Sequence, residues 1–308
     1  MRHDRQPVSA SVLGWTVADP RLNLAPQELS MNRRDFSHAA IALMGGLLLP
    51  RRASSLGKPE GGTALDAAAY HRLRRHAHTW FGRIAYIDHG RGPAALFIHG
   101  FPLSGFQWRH ALGRLGDRRR CLAPDLMGLG YTEVSDDQDL TPGAQARMLA
   151  SLLDRLSISE VDLVANDSGG TIAQIMMALY PHRIRSVILT DRDVNENSPP
   201  AQMRNSIQQG RNGTYDKKIE RHLDDRDYAR SANGIGGNAY SDPASFSDEA
   251  IEYSLRPLVA SQRRHDQLNR YLAAFEPNPL VALRGALGRF EAPSKMLWGT
   301  SDPLFPVS

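Results

Sequence analysis

Short apolar runs alternate with amphipathic stretches along the middle of the chain. Five of the runs have the length of β-strands and end in glycine, proline or polar residues: RIAYIDHG (83–90), AALFIHG (94–100), CLAPDLMGLGYT (121–132), VDLVAND (161–167) and RSVILTD (185–191). Strands that alternate with helical segments are typical of a mostly parallel sheet with helices on both faces. The pattern therefore predicts an α/β fold.

Two of the intervening stretches have the period of helices. Thr141 is expected to cap the first helix, with Pro142 at its first position. The predicted apolar stripe of this helix is Met148, Leu149, Leu152, Leu153 and Leu156. The second helix follows Asp167, and its predicted stripe is Ile172, Ile175, Met176 and Leu179.

The pattern changes after residue 193. Long polar helical stretches follow, among them SDEAIEYSLRPLVA, which Ser247 is expected to cap. The run SKMLWGTSD (294–302) then returns to a strand pattern. We therefore predict a core formed by 59–193 and 291–308, with a helical cap domain over 194–290.

Residues 1–58 are predicted to be a leader. From Met31 the chain reads MNRRDFSHAAIALMGGLLLPRRASS, with two arginines, an apolar run over 39–49 and then small residues. The run is shorter than the ~20 residues that span a bilayer, so we expect no stable membrane span. The layout is that of an export signal, and NRRDF resembles a twin-arginine leader. We expect Met31 to be the true start, the twin-arginine export machinery to be a partner, and the location to be periplasmic or secreted, or cytoplasmic if the leader does not function. The alternative is an amphipathic or buried helix.

The charge of the chain is concentrated in the same segment. The formal net charge is +4; residues 1–58 hold eight Lys/Arg against four Asp/Glu, and the remainder holds 29 of each. A neutral body gives no signal for nucleic acid as a partner. With Cys121 as its single cysteine, the chain cannot form an internal disulfide. No phosphate-binding loop or metal-ligand spacing is present, so we expect no cofactor and no metal.

The segment VDLVANDSGGTIAQ is expected to form a strand, a sharp turn and the start of a helix, with Asp167 beside Ser168. A reactive residue at such a strained turn needs small residues two positions before and after it. Around Asp167 these are Ala165 and Gly169, whereas Asn166 is too large for a turn centred on Ser168. The spacing favours Asp167 as the nucleophile. The alternatives are a serine nucleophile and a simple helix-capping role for Asp167.

Three motifs then carry a family resemblance: FIHGFPLSGFQWR (97–109), APDLMGLGYT (123–132) and ANDSGG (165–170). In order and spacing they resemble the α/β-hydrolases, over about residues 80–305. The most similar branch has an aspartate nucleophile and includes haloalkane dehalogenases, epoxide hydrolases and fluoroacetate dehalogenase. The resemblance implies the α/β-hydrolase fold, with the cap inserted after the strand that ends near Asp191.

The resemblance also implies roles for individual residues. The backbone N–H groups of Phe101 and Ser168 would form the oxyanion hole. Asp167 would attack a carbon atom to form an ester, which a histidine-activated water would then hydrolyse. An acid at a strand end would orient that histidine. Asp302 is the expected acid, Asp191 is the alternative acid, and an ordinary turn role for Asp302 stays open.

Two departures from the family pattern bear on the substrate. Haloalkane dehalogenases typically have a tryptophan after the nucleophile and often an asparagine after HG, where this chain has Ser168 and Phe101. No arginine follows the nucleophile as in fluoroacetate dehalogenase. Epoxide hydrolases use cap tyrosines to protonate the opening ring, and the candidates here are Tyr240, Tyr253 and Tyr271. The substrate class stays open between alkyl halide and epoxide.

The resemblance places the catalytic histidine beyond one further strand, whereas the chain ends at Ser308 and all eleven histidines precede Asp302. We therefore expect the last strand, its helix and the histidine to be missing, leaving a sheet edge unpaired. His99 is expected to be structural, and His222 and His265 lie in the cap. Three interpretations follow: a fragment, which we favour, a non-catalytic relative that binds ligands, or a cap histidine as substitute.

The sequence thus predicts a hydrolase that acts on a small organic substrate, with water as cosubstrate, through an ester on Asp167. Activity is expected to be impaired in this form. The alternatives are a non-catalytic ligand-binding protein and an ester hydrolase with a serine nucleophile.

Overall fold

The computed structural model describes residues 65–299, 302, 304 and 305, together with the backbone of two short strands at 9–13 and 29–30. The predicted twin-arginine segment from Met31 to Ser55 lies outside the described residues.

The strands are β1 (Ser9–Leu13), β2 (Leu29–Ser30), β3 (Arg74–Thr79), β4 (Gly82–Gly90), β5 (Ala94–Ile98), β6 (Arg120–Pro124), β7 (Val161–Asp167), β8 (Ile184–Arg192) and β9 (Ser294–Gly299). The helices are α1 (Ala67–Leu73), α2 (Arg109–Leu115), α3 (Pro142–Arg155), α4 (Ser168–Leu179), α5 (Arg204–Arg211), α6 (Asp216–Asp224), α7 (Arg226–Arg230), α8 (Ile235–Ala239), α9 (Asp248–Leu255), α10 (Gln262–Ala273) and α11 (Arg284–Leu287). Short 3₁₀ turns add Gly105–Trp108, Pro181–Arg183, Ala201–Met203, Pro243–Ser245, Arg256–Val259 and Val281–Leu283.

The described strands form one sheet in the order β2-β1-β9-β8-β7-β5-β6-β4-β3. Strands β6, β5, β7, β8 and β9 are parallel to one another, whereas β4 lies antiparallel to β6 and β3 antiparallel to β4. The predicted mostly parallel sheet is confirmed. The carboxyl ends of β5, β7 and β8 lie side by side in this sheet. Phe101 follows β5, Asp167 is the last residue of β7, and Asp191 is the second-last residue of β8.

The outer edge of β9 differs from the expectation of an unpaired edge. β1 pairs antiparallel along it, with Ala10 opposite Gly299 and Leu13 opposite Met296. The backbone groups of an edge strand bond readily to another extended segment.

The central strands are buried on both faces. Leu96, Phe97 and Ile98 in β5 are at most 1% exposed, and Leu163 and Ala165 in β7 are fully buried. This burial explains why both strands are continuous apolar runs rather than alternating ones.

The strand β3 was not predicted, because its sequence RRHAHT lacks an apolar run. It pairs with β4 through a tight turn at Trp80 and Phe81 and forms the far edge of the sheet. An edge strand needs only one buried position, here Ala77, and tolerates arginine and histidine elsewhere.

The helix-capping predictions are confirmed at both positions. The Thr141 hydroxyl accepts a hydrogen bond from the Ala144 N–H at the start of α3, and the Ser247 hydroxyl accepts one from the Ala250 N–H at the start of α9. In α4 the predicted stripe is buried except at Leu179, which is 48% exposed because the helix ends there at the surface.

Between β8 and β9 the chain forms the helices α5 to α11, in the segment predicted as a cap. None of the helices described is long and apolar enough to cross a membrane.

Candidate functional site

Asp167 occupies the junction between β7 and α4. Its backbone angles are φ 55° and ψ −137°, a left-handed conformation that is uncommon for a residue with a side chain. Such strain persists where the surrounding structure enforces it, and it clusters at functional sites. Ser168 is instead the first residue of the helix. The structure therefore has Asp167, rather than Ser168, at the apex of the turn.

Close packing around the turn explains its small residues. A Cβ atom at Gly169 would lie 2.5 Å from the carbonyl oxygen of His99, and one at Gly170 would lie 2.5 Å from Cβ of Arg192. A Cβ at Gly100 would lie 2.6 Å from Cβ of Asp167. The turn thus fits between the β5 and β8 ends only because three glycines face it.

Two backbone N–H groups converge on one oxygen of the Asp167 carboxylate. Oδ1 accepts hydrogen bonds from Ser168 N at 2.5 Å and from Phe101 N at 2.9 Å. These are the two groups expected to form the oxyanion hole. The other carboxylate oxygen, Oδ2, accepts no hydrogen bond from a described residue.

The loop that carries Phe101 is fixed from behind by an amide chain. Gly100 N donates to Gln107 Oε1 at 2.9 Å, and Gln107 Nε2 donates to Asn166 Oδ1 at 2.7 Å. Asn166 Nδ2 in turn contacts Thr190 Oγ1 at 3.2 Å. Asn166 therefore has a positioning role that links β7 to the loop and to β8.

Burial raises the pKa of Asp167, and this effect exceeds the opposing effect of the Ser168 and Phe101 N–H groups. The charge of Asp302 raises it further. The carboxylate is therefore less solvated than a surface aspartate, and desolvation makes an anion a stronger nucleophile.

The two acids expected to orient a histidine lie at neighbouring strand ends. Asp191 is the second-last residue of β8 and has φ 28°, and its Oδ1 accepts from Gly299 N at 2.6 Å. Asp302 follows β9, and its Oδ1 accepts from Leu304 N at 2.8 Å and Phe305 N at 2.9 Å. Both are half-buried. Asp302 thus also has the turn role that the sequence left open.

A third acid, Asp193, was missed by the sequence analysis. It is 2% exposed, and it accepts hydrogen bonds from Thr171 Oγ1 at 2.8 Å and Ser198 Oγ at 3.2 Å. Burial, followed by the charge of Asp167, raises its pKa to about 7. The only sequence signal was its position two residues after Asp191, at the carboxyl end of a parallel strand.

Two cap tyrosines cover the site. The Phe101 ring stacks on Tyr271 at 5.5 Å between ring centroids with 8° between planes, and it contacts Tyr215 at 5.4 Å. Asn269 holds this arrangement, because its Oδ1 accepts from Tyr215 N at 2.9 Å and its Nδ2 donates to Asp216 Oδ1 at 3.0 Å.

Of the three tyrosines considered from sequence, Tyr271 is the one in contact with this site. Tyr253 stacks on Phe106 at 4.3 Å, and Tyr240 stacks on Phe246 at 5.4 Å. Tyr215 was missed, because nothing in its local sequence distinguishes it from a packing residue.

The histidines considered are engaged elsewhere. His99 is fully buried, with Nε2 3.0 Å from Leu126 N and Nδ1 2.9 Å from the Gly100 carbonyl. His222 contacts the Lys218 carbonyl and the Ile235 N–H, and His265 contacts Asp216 and the Val259 carbonyl. Neither cap histidine has a hydrogen bond to Asp167.

One described group of side chains has the spacing of metal ligands: Asp216, Glu220 and His265, in the cap. Both ring nitrogens of His265 already have partners, and the Lys217 ammonium lies 3.1 Å from Glu220 Oε2 and 3.7 Å from Asp216 Oδ2. These contacts form an ion-pair and hydrogen-bond network around Lys217, and we assign no metal to it.

A surface cavity of about 610 Å³ lies between α5, α10 and the loop at Asp136. Gln267, Asn269 and Arg270 line it from α10. Neither Tyr271 nor Asp167 lines it.

Comparison with known proteins defines the class of molecule. The chain belongs to the alpha/beta hydrolase fold family, whose pattern it matches over residues 93–308. Its relatives include haloalkane dehalogenase 2 of Mycobacterium tuberculosis, 34% identical over 114 residues, which are 36% of this chain and 40% of that protein. Epoxide hydrolase 2 of Siraitia grosvenorii is 38% identical over 101 residues, 32% of this chain and 32% of that protein.

The matched segments therefore span less than half the length of these curated relatives. Among solved structures, the epoxide hydrolase CorEH without ligand is similar with a TM-score of 0.59 and 20% identity, over 73% of this chain and 89% of that one. This likeness supports the fold alone. The predicted α/β-hydrolase fold is confirmed.

Proposed function

We propose that this chain uses the Asp167 carboxylate to attack an electrophilic carbon of a small organic molecule, an alkyl halide or an epoxide, and forms an ester on the protein. The observation that carries the proposal is the carboxylate at the strained turn, with one oxygen bound by the N–H groups of Phe101 and Ser168. A helix cap needs neither the strain nor a donor from a distant loop.

In the first step the free carboxylate oxygen of Asp167 forms a bond to carbon. The carbon–halogen bond or the carbon–oxygen bond of the ring breaks, and its electron pair leaves with the halogen or ring oxygen. Oδ1 stays between the two N–H groups and becomes the carbonyl oxygen of the ester. Because those donors already point at it, they can also stabilise the oxyanion that forms when water attacks the ester.

An epoxide requires more than an alkyl halide, because an alkoxide is a poor leaving group without a proton. Tyr271 is the proposed donor. Its ring is stacked on Phe101 and its side chain is fully buried. Its hydroxyl oxygen has no hydrogen-bond partner among the described residues. A phenol is acidic enough to donate a proton to such an oxygen.

Hydrolysis of the ester requires a base beside the ester carbon. We assign none of His99, His222 and His265 to this role, because each is hydrogen-bonded elsewhere. Asp302 is the proposed orienting acid, with Asp191 as the alternative. The names of the relatives, haloalkane dehalogenase and epoxide hydrolase, support the two substrate classes and do not choose between them.

The test uses the full chain with 1-bromohexane and with 1,2-epoxyhexane, followed by intact-protein mass spectrometry. We expect a covalent mass increase with at least one probe. With the bromide, Asp167→Asn should abolish the increase and Ser168→Ala should retain it. The opposite pattern would indicate a serine nucleophile, and reversible binding without an adduct would indicate a ligand-binding protein; either result contradicts the proposal.

A further inference from the structure

A second cavity lies in the cap, where residues of α5, α6 and α7 line a volume of about 360 Å³. Three cationic side chains of α6 contribute to the lining, Lys217, Lys218 and Arg221, and no aspartate or glutamate does. Asp167 is not among the lining residues either. The cavity is therefore distinct from the site described above, and its lining is positively charged.

The three cations lie close together on the surface of α6. Arg221 follows Lys218 by three positions and Lys217 by four, so these side chains are neighbours on the helix. Like charges at this spacing repel each other and destabilise a helix. An anion in the cavity would remove this repulsion.

Carboxylates compensate the charge of one of these cations. Lys217 Nζ lies 3.1 Å from Glu220 Oε2 and 3.7 Å from Asp216 Oδ2. Neither Lys218 nor Arg221 forms an ion pair with a carboxylate of the described residues. The protein thus presents two positive charges to the cavity without a counter-ion of its own.

Aromatic rings hold these two cations in place. The guanidinium carbon of Arg221 lies 3.7 Å from the ring centroid of Tyr228, and Lys218 Nζ lies 6.0 Å from that of Tyr215. Lys218 is half-buried, and burial lowers its pKa. A cation that is partly removed from water is costly unless it is paired. The arrangement therefore indicates a ligand that supplies negative charge.

The chemistry of the lining favours an oxyanion. An ammonium and a guanidinium donate hydrogen bonds and accept none, and Ser206 and Gln209 on α5 add a hydroxyl and an amide. Charge-assisted hydrogen bonds from lysine and arginine are typical of phosphate recognition. A phosphate group carries about two negative charges near neutral pH, which matches the two uncompensated cations.

We propose that this cap cavity is a binding site for a phosphate group, held by Lys218 and Arg221. The ligand class comprises inorganic phosphate and small organic phosphate monoesters. The inference goes beyond the proposed function, because no step at Asp167 depends on it.

The test is isothermal titration calorimetry of the full chain with sodium phosphate and with phenyl phosphate, at an ionic strength fixed with sodium chloride. We expect saturable binding of at least one probe. Lys218→Gln and Arg221→Gln should each weaken binding about 10-fold or more, the size expected when a hydrogen bond between charged groups is lost. Equal affinities would assign the site to the phosphate group alone, and tighter binding of phenyl phosphate would assign it to an organic monoester; both results support the inference.

Two control variants separate a built site from general attraction. Arg114→Gln removes an exposed cation from the last turn of α2, outside the cavity, and should leave the affinity unchanged. Lys217→Gln removes a cation that is already paired, and should weaken binding less than about threefold. Saturable binding of neither probe would overturn the inference. An equal loss in Arg114→Gln, or full affinity in a variant that combines Lys218→Gln with Arg221→Gln, would overturn it as well.

Discussion

Two aspartates of this chain each accept two backbone N–H groups on one carboxylate oxygen, but the donors differ in origin. For Asp302 they are Leu304 and Phe305, within the same turn. For Asp167 one donor is the adjacent Ser168 and the other is Phe101, which is 66 residues away in the chain. A local turn forms the first arrangement by itself, whereas the second exists only when β5 and β7 are assembled.

The difference shows which hydrogen bonds indicate a reactive group. Asp167 combines a donor from a distant loop with a left-handed backbone and close packing from Gly100 and Gly169. Each such strained residue costs about 1–3 kcal/mol, so a fold keeps it only where other interactions compensate. The origin of the hydrogen bonds at an acid is therefore a better indicator of a reactive carboxylate than their number.

The largest effect is expected from crowding the side chain of Asp167. In Gly100→Ala the new methyl group would lie 2.6 Å from Cβ and 2.8 Å from Oδ1 of Asp167. We expect the protein to lose about 1–3 kcal/mol of unfolding free energy and the adduct to form about 100-fold more slowly. Chemical denaturation and single-turnover mass spectrometry measure the two effects.

Gly143→Ala is the matched control for that variant. Gly143 lies near the start of α3, and its nearest neighbour to a new Cβ is the end of the Arg147 side chain at 3.5 Å. This substitution should stabilise the protein by about 0.5–1 kcal/mol without slowing the adduct. Equal losses at both glycines would contradict the crowding explanation.

Asp193 gives the next largest effect, through pH. Its pKa is raised to about 7 in the folded state, against ~3.9 for an unfolded aspartate. The folded state thus binds the proton more tightly, and its stability should fall as pH rises from ~4 to about 7. Asp193→Asn removes this dependence, so it should raise unfolding free energy at pH 8 relative to pH 5 by on the order of 1–3 kcal/mol. Chemical denaturation at the two pH values measures the change in unfolding free energy. An equal change at both pH values would contradict the titration of Asp193 in the folded protein.

The smallest effect is expected at Asp302. In Asp302→Asn the amide oxygen can still accept from Leu304 and Phe305, so the stability change should stay within about 0.5 kcal/mol. Because the charge of Asp302 raises the pKa of Asp167, its removal should shift the pH dependence of adduct formation to lower pH. A rate profile against pH measures the shift. Loss of the adduct would instead assign the first step to Asp302.

The strained turn at Asp167 and the helix caps could be predicted from sequence, because their causes are local. Ala165 and Gly169 are required within two residues of the turn, and Thr141 and Ser247 bond to helix N–H groups three residues on. The central strands could also be predicted from sequence, because burial on both faces requires an unbroken apolar run.

Other parts of the site depend on tertiary contacts that leave no local pattern. Tyr215 and Tyr271 are selected from the tyrosines of the chain only by where α6 and α10 pack, and Asn269 joins those helices across 54 residues. Asp193 becomes notable only because Thr171, Ser198 and Asp167 surround it. The edge strand β3 was missed for the same reason, since its pairing with β4 rather than its composition defines it.

The most direct test of Asp167 as the nucleophile is to locate the adduct within the chain. The wild-type protein is treated with 1-bromohexane, digested, and the modified peptide is sequenced by tandem mass spectrometry. We expect an ester on Asp167, in the segment that joins β7 to α4. An adduct on Ser168, Asp193 or Asp302, with Asp167 unmodified, would contradict it.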